Sequence, residues 1–347
     1  MNSLERVMTT LEHREADCVP VYPFINSISR NYLGIDYGEW SLDAKQCANS
    51  IIKATEDLDL DIVSTQMDYF IEAADWGMVM KYPIDQSAYP ESKKVIQNMK
   101  DYDKIKILDP RKTPRMSQYI QLARYLSRSK GKEKFVMGYV NSPLGILSML
   151  RGQEQTFRDI LKQPLTVHKA LYNITKTITS LAQELVQAGC HGIMFDTAYA
   201  SDLIMDSFMW DEYEGQYLER TINATRETGA KIMIHNERER GHFELQVKRM
   251  KPDVLSFFTL PSDCNTMTEM KQKYGSRVTL MGHLDPDFFQ AYSTEELREE
   301  CREQIRAYKE GGGFILATGI EYPMNLEDTY ARVIVEECRK YGVYKEE

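Results

Sequence analysis

The residues best suited to chemistry in this 347-residue chain stand where short apolar runs give way to polar side chains. The sharpest case is Ile232-Met233-Ile234-His235-Asn236-Glu237, an apolar run that passes straight into His-x-Glu. On extended chain, residues two apart project to the same side, so His235 and Glu237 face one space. An imidazole nitrogen and a carboxylate oxygen are natural ligands for zinc. Glu321, just past the run Phe314–Ala317, is a third such group. A His/Glu/Glu set leaves zinc the open position that catalysis requires. His-x-Glu alone is a short motif, and the same side chains serve to bind substrate or to pair with Arg238 and Arg240.

A second alternating pair lies in Met281-Gly282-His283-Leu284-Asp285-Pro286. The proline holds Asp285 extended, where it either orients a ligand or caps the next element. Asp196, in Phe195-Asp196-Thr197, suits a base, an acceptor for a cofactor hydrogen bond, or a turn. Asn141-Ser142-Pro143 ends one apolar run and opens a helix, with Asn141 at the junction. Asp196, His283 and Asp285 are the candidate catalytic groups, and His235, Glu237 and Glu321 the candidate metal ligands. Asn26 and Asp68 occupy equivalent places after their own runs, and Phe257 and Phe258 stand at the end of theirs. His13, His168, His191 and His242 fall on helices or loops and are expected to be structural or at the surface.

The frame that must position these groups is legible as eight apolar runs: Cys18–Ile25, Asp61–Met67, Phe135–Val140, Gly192–Phe195, Lys231–Ile234, Val254–Phe258, Val278–Met281 and Phe314–Ala317. Each is too short for a helix and apolar on both faces, as in buried parallel strands. Helix-period segments separate most of them. The pattern predicts one α/β domain over residues 1–347, a (β/α)8 TIM barrel with its site at the C-terminal ends of the strands. Ser293-Thr294-Glu295-Glu296 is a capping box, and the helix it opens stops at Gly311-Gly312-Gly313. Gly189 closes a helix over 181–188, and Asn325 is expected to cap a last helix ending near Gly342. The segment Trp76–Pro114 breaks the rhythm after the second strand and is expected to be an insertion: a lid, a partner surface or a plain surface excursion.

Composition narrows the function classes. A formal net charge of −9 without a basic stripe argues against nucleic acid as partner. No run approaches the roughly 20 apolar residues that cross a membrane, and the charged N-terminus suits a soluble helix better than a signal peptide. The six cysteines are scattered without a CxxC pair, as expected for buried free thiols in a reducing, cytoplasmic compartment.

Taken in order, several segments resemble the uroporphyrinogen decarboxylase superfamily, and within it the corrinoid-dependent methyltransferase branch. They are Glu5-Arg6-Val7, Val19-Pro20-Val21, Asn141-Ser142-Pro143-Leu144, Gly192-Ile193-Met194-Phe195-Asp196, the run ending at His235, Gly282-His283-Leu284-Asp285-Pro286 and Gly313-Phe314-Ile315-Leu316. The decarboxylase itself has an arginine-rich N-terminal segment that cradles the many carboxylates of its substrate. The matching stretch here, Pro23–Arg30, offers only Arg30. In the methyltransferase branch zinc is commonly held by His-x-Cys and a distant Cys. His235 matches that His, while Glu237 takes the first Cys position and Ile320, with Glu321 beside it, the second.

The resemblance therefore implies a zinc site in which oxygen replaces sulfur. Such a zinc is harder and more electrophilic, suited to polarising the oxygen of a methyl ether. The function it implies is zinc-assisted methyl transfer from a methylated small molecule to the Co(I) corrinoid of a separate protein. An aryl methyl ether, hence O-demethylation, is the favoured donor. Phe24, Tyr69, Tyr199, Phe257 and Tyr322, with Asn26 and Asn141, are the expected substrate contacts. The alternatives are transfer from a methyl-corrinoid protein to a thiol or other acceptor, and a decarboxylase-like or metal-free barrel that binds a small molecule.

Overall fold

The computed structural model describes all residues except 198, 200, 202, 237–240, 292 and 345–347, and at 288 the backbone alone. The predicted apolar runs form strands β1 (Val21–Tyr22), β2 (Ile62–Ser64), β5 (Phe135–Asn141), β6 (Gly192–Asp196), β7 (Lys231–Asn236), β8 (Val254–Phe257), β9 (Thr279–Leu284) and β10 (Phe314–Thr318). They make one parallel sheet in the order β1-β10-β9-β8-β7-β6-β5-β2. With helices between successive strands, this is a nearly closed (β/α)8 barrel. The remaining pair, β3 (Met80–Lys81) and β4 (Tyr89–Pro90), is an antiparallel hairpin outside that sheet, within the segment expected as an insertion.

β1 is much shorter than the run that predicted it because Pro20 and Pro23 flank it, and neither has an N–H to give a ladder. The barrel is therefore unladdered between β1 and β2, and side chains close this seam. At its lower end Asp61, fully buried, accepts from Val21 N at 2.8 Å and gives its own N–H to Val21 O at 3.2 Å. The same carboxylate takes Arg6 Nη1 at 2.6 Å from the N-terminal helix Ser3–Leu11, and Arg339 Nη1 at 3.0 Å from the C-terminal helix Thr329–Tyr341. At the upper end Tyr22 Oη donates to Asn26 Oδ1, and Asn26 Nδ2 donates to Gln66 Oε1 at 2.7 Å.

The helix signals were mostly placed where the backbone needs them. Ser293 caps Thr294–Tyr308 with Glu296 completing the box, and Gly189, at φ +108°, follows the helix Pro164–Gln187. Asn325 is not the cap of the last helix: it lies in a turn in which Leu326 N donates to Pro323 O, and Asp328 precedes the first helical turn. All six cysteines are free and buried. Among the described residues no helix is long and apolar enough to cross a membrane.

Removing the charge of Asp61 leaves two arginines without their shared partner at the seam. Asp61→Asn is expected to lower stability to chemical denaturation by about 3–5 kcal/mol. Asp17→Asn, which touches Arg6 at the more exposed end of the same network, should cost about 1 kcal/mol or less. Equal effects of the two would contradict this assignment of the seam.

Candidate functional site

Strand register sets the first group. Asn141 pairs with Asp196, Asp196 with His235 and His235 with Ser256, so these four share one face at the C-terminal ends of β5 to β8. Their successors face the other way: Asn236 exchanges hydrogen bonds with Gln246 of the helix Phe243–Met250 and accepts from Thr197 Oγ1. The row Asn141-Asp196-His235-Ser256 therefore looks into the barrel. His235 is buried, with Nδ1 2.9 Å from Ser256 Oγ and its ring 5.3 Å from that of Phe24. Burial pushes its imidazole down to about 4, which leaves it neutral at physiological pH. Among the described residues none hydrogen-bonds its Nε2. Asp196 Oδ2 accepts from Tyr139 Oη at 2.6 Å.

Asn141 is fixed from the loop and helix that follow β2. Its backbone N–H donates to Glu72 Oε1, and its Nδ2 donates to both Glu72 Oε2 and Tyr69 O, each at 2.9 Å. Glu72 is buried, and burial raises its carboxyl above the ordinary range.

A second group lines a cavity of about 90 Å³ at the top of the seam, between the segments that follow β1, β2 and β10. Glu321 Oε1 accepts from Ser27 N at 3.0 Å and Ser27 Oγ at 2.6 Å. Burial raises the Glu321 carboxyl, and nearby Asp68 raises it further. Asp68 in turn takes Tyr82 Oη and Arg115 Nη2, both at 3.2 Å. Tyr82 follows β3, so the segment 76–114 reaches this cavity. Tyr69 lines it too.

The other predicted residues lie apart from these groups. Phe257 meets Phe243 at 5.8 Å and Tyr308 at 6.4 Å, both on outer helices, and His283 stacks on Phe257 at 5.1 Å. Both are thus in the helical layer rather than on the inward row. Asp285 caps the short 3-10 turn Pro286–Phe288 by accepting from Asp287 N. Tyr199 packs edge-on against Phe157. Tyr322 is fully buried beneath the loop after β10, where its hydroxyl donates to Glu327 O. Glu237 lies outside the described residues. Among the described residues no three His, Cys, Asp or Glu side chains stand together as a metal-holding group.

Sequence reasoning passed over Ser256, Tyr139, Glu72, Ser27 and Arg115. Ser256 carried a signal, as the one polar residue within Val254–Phe257, and Tyr139 carried a weaker one. Glu72 and Arg115 sit in ordinary helical sequence, and only the fold shows that they are buried against the mouth.

Residues 2–341 match the family described as uroporphyrinogen decarboxylase (URO-D). Among characterised relatives, the uroporphyrinogen decarboxylase of Pseudomonas savastanoi pv. phaseolicola is 21% identical over 239 residues, covering 66% of this chain and 65% of that enzyme. That of Campylobacter jejuni is 23% identical over 183 residues, 51% and 52% of the two chains. In both, the match spans less than two thirds of the relative's own length. A methyltransferase from Methanosarcina mazei superposes over 98% of this chain and 99% of its own, with a TM-score of 0.83 and 15% identity. A B12-independent methionine synthase from Shewanella sp. W3-18-1 superposes over 86% of each chain, with a TM-score of 0.56 and 13% identity. At these identities the likeness to the solved structures is one of fold.

Burial also holds the His283 imidazole down at about 4. The unfolded chain takes up that proton near pH 6.5 and the folded chain does not, so stability is full above about pH 6.5 and falls as pH drops toward 4. His283→Gln should remove about 2 kcal/mol of this acid-induced loss, read from urea midpoints at pH 7 and pH 4.5. Parallel losses in variant and parent would show that His283 is not held neutral.

Proposed function

Since this chain belongs to the uroporphyrinogen decarboxylase family, we propose that it transfers a methyl group from a methylated small molecule to the Co(I) corrinoid of a separate protein. An aryl methyl ether is the favoured donor. The observation that carries this reading is His235: a neutral imidazole, pinned through Nδ1 by Ser256, on the inward row of a barrel whose fold matches a methyltransferase over nearly its whole length. Decarboxylation of a substrate rich in carboxylates is less well supported. Asp68, Asp196 and Glu321 stand at the strand ends, and Arg115 is already engaged by Asp68. An anionic substrate would meet mainly like charge there among the described residues.

The chemistry of His235 fits zinc. The contact of Nδ1 with Ser256 Oγ holds the ring angle, and in the tautomer that carries its proton on Nδ1 the imidazole would offer a metal the lone pair of Nε2. Glu237 and Glu321 are the proposed oxygen ligands. Glu321 is held through Oε1 by Ser27, which leaves Oε2 as its ligating atom. Zinc bound there would act as a Lewis acid toward the ether oxygen. Phe24, packed between Tyr22 and His235, gives the aromatic ring of a donor an apolar surface beside the site. Asp196, steadied by Tyr139, supplies an acceptor on the same row. The corrinoid protein would dock over the mouth, with the segment 76–114 as its proposed contact surface.

Glu237→Ala is expected to abolish both bound zinc, from about one per chain in the parent, and methylcobalamin formation from a methoxylated aromatic and cob(I)alamin. A variant that retains metal and full activity would sink the ligand assignment. Ser256→Ala should weaken zinc binding by about 10- to 100-fold, because it frees the His235 ring; unchanged affinity in a competitive chelator titration would show that the hydroxyl has no such role.

A further inference from the structure

Asn141 lies between β2 and β6 in the sheet, and its amide is tied on the β2 side only. Both acceptors there, Glu72 Oε2 and Tyr69 O, require N–H donors, so both protons of Nδ2 are spent on them. The planar amide then turns Oδ1 away from Glu72 and Tyr69. None of the described residues donates to that oxygen, although Asn141 itself is almost wholly buried. Glu72 also takes the backbone N–H of Asn141 on its other oxygen, so the two carboxylate oxygens grip main chain and side chain together. A rotation of the amide by half a turn would set its oxygen against the two acceptor oxygens of Glu72 and Tyr69.

We propose that Glu72 is a positioning residue which holds the Asn141 amide with its oxygen toward the barrel mouth, so that the site selects methyl donors that also carry a hydroxyl or N–H. This rests on the methyl-transfer reading above and narrows its substrate class from aryl methyl ethers to those bearing a hydrogen-bond donor. A donor group on the substrate pairs with Oδ1. A substrate lacking one buries that acceptor unpaired, and sites built on a buried polar group discriminate most strongly against the analogue that leaves it unmatched. Glu72→Gln keeps the shape but replaces one acceptor by an N–H, which opposes Nδ2 of Asn141 and favours the turned amide.

The test compares kcat/KM for the three methoxyphenol isomers with that for methoxybenzene, using cob(I)alamin as methyl acceptor and following methylcobalamin by its absorbance. In the parent, at least one methoxyphenol should exceed methoxybenzene by about tenfold or more. In Glu72→Gln that ratio should fall to within about threefold, whereas a merely structural role for Glu72 would lower both substrates alike and leave the ratio unchanged. Methyl transfer from methoxybenzene as fast as from every isomer overturns the inference and leaves the methyl-transfer reading standing, as does a ratio preserved in the variant. No transfer from any ether removes the functional reading and this inference with it. Where Glu72→Gln fails to fold, a parent ratio near one still overturns the inference.

Discussion

A barrel of eight strands with seven ladders must be closed on its last side by something other than strand pairing, and here Asp61 does that work at the lower end. Its carboxylate accepts from the main chain of β1 while it balances Arg6 and Arg339, which arrive from the first and last helices. Both ends of the chain and both edges of the sheet thus meet at one buried anion. The geometry follows from Pro20 and Pro23, which deny β1 the N–H groups that a longer ladder with β2 would need. Two cations around one carboxylate satisfy its oxygens and compensate the loss of water, which a single partner would do less completely.

The same seam shapes the site. Held together at the bottom, β1 and β2 are joined at the top by the hydrogen-bonded side chains of Tyr22, Asn26 and Gln66, and the cavity lined by Ser27, Asp68, Tyr69 and Glu321 opens above them. On the other side of the mouth, β5 to β8 are fully laddered and present Asn141, Asp196, His235 and Ser256 in fixed register. A laddered row thus stands beside a small pocket closed by side chains. That arrangement suits orientation of a donor on the row, with room at the seam for the part of the substrate that differs between ligands.

Much of the fold was legible because strand and helix periods are local properties: the eight runs, Ser293 as a cap and Gly189 as a stop need no distant partner. The shared inward row of His235, Asp196 and Asn141 was legible because each ends an apolar run with a polar residue. Phe257 and His283 were harder. Phe257 stands near the end of an apolar run and His283 just past one, but Ser256 takes the inward place on β8, so Phe257 must face outward, since one residue of register exchanges the faces. Glu72 carried no signal, since its partner Asn141 is 69 residues away and the contact exists only once β2 and β5 are paired. Glu237 was read from the sequence alone, and it lies outside the described residues.

The central claim is that a zinc ion is held at the mouth by His235 through nitrogen and by carboxylates through oxygen. X-ray absorption at the zinc edge of the zinc-loaded protein tests it most directly. The account predicts a first shell of nitrogen and oxygen at about 2.0–2.2 Å with no sulfur, and loss of the imidazole scattering in His235→Ala. A sulfur shell near 2.3 Å, or an unchanged spectrum in that variant, would contradict it.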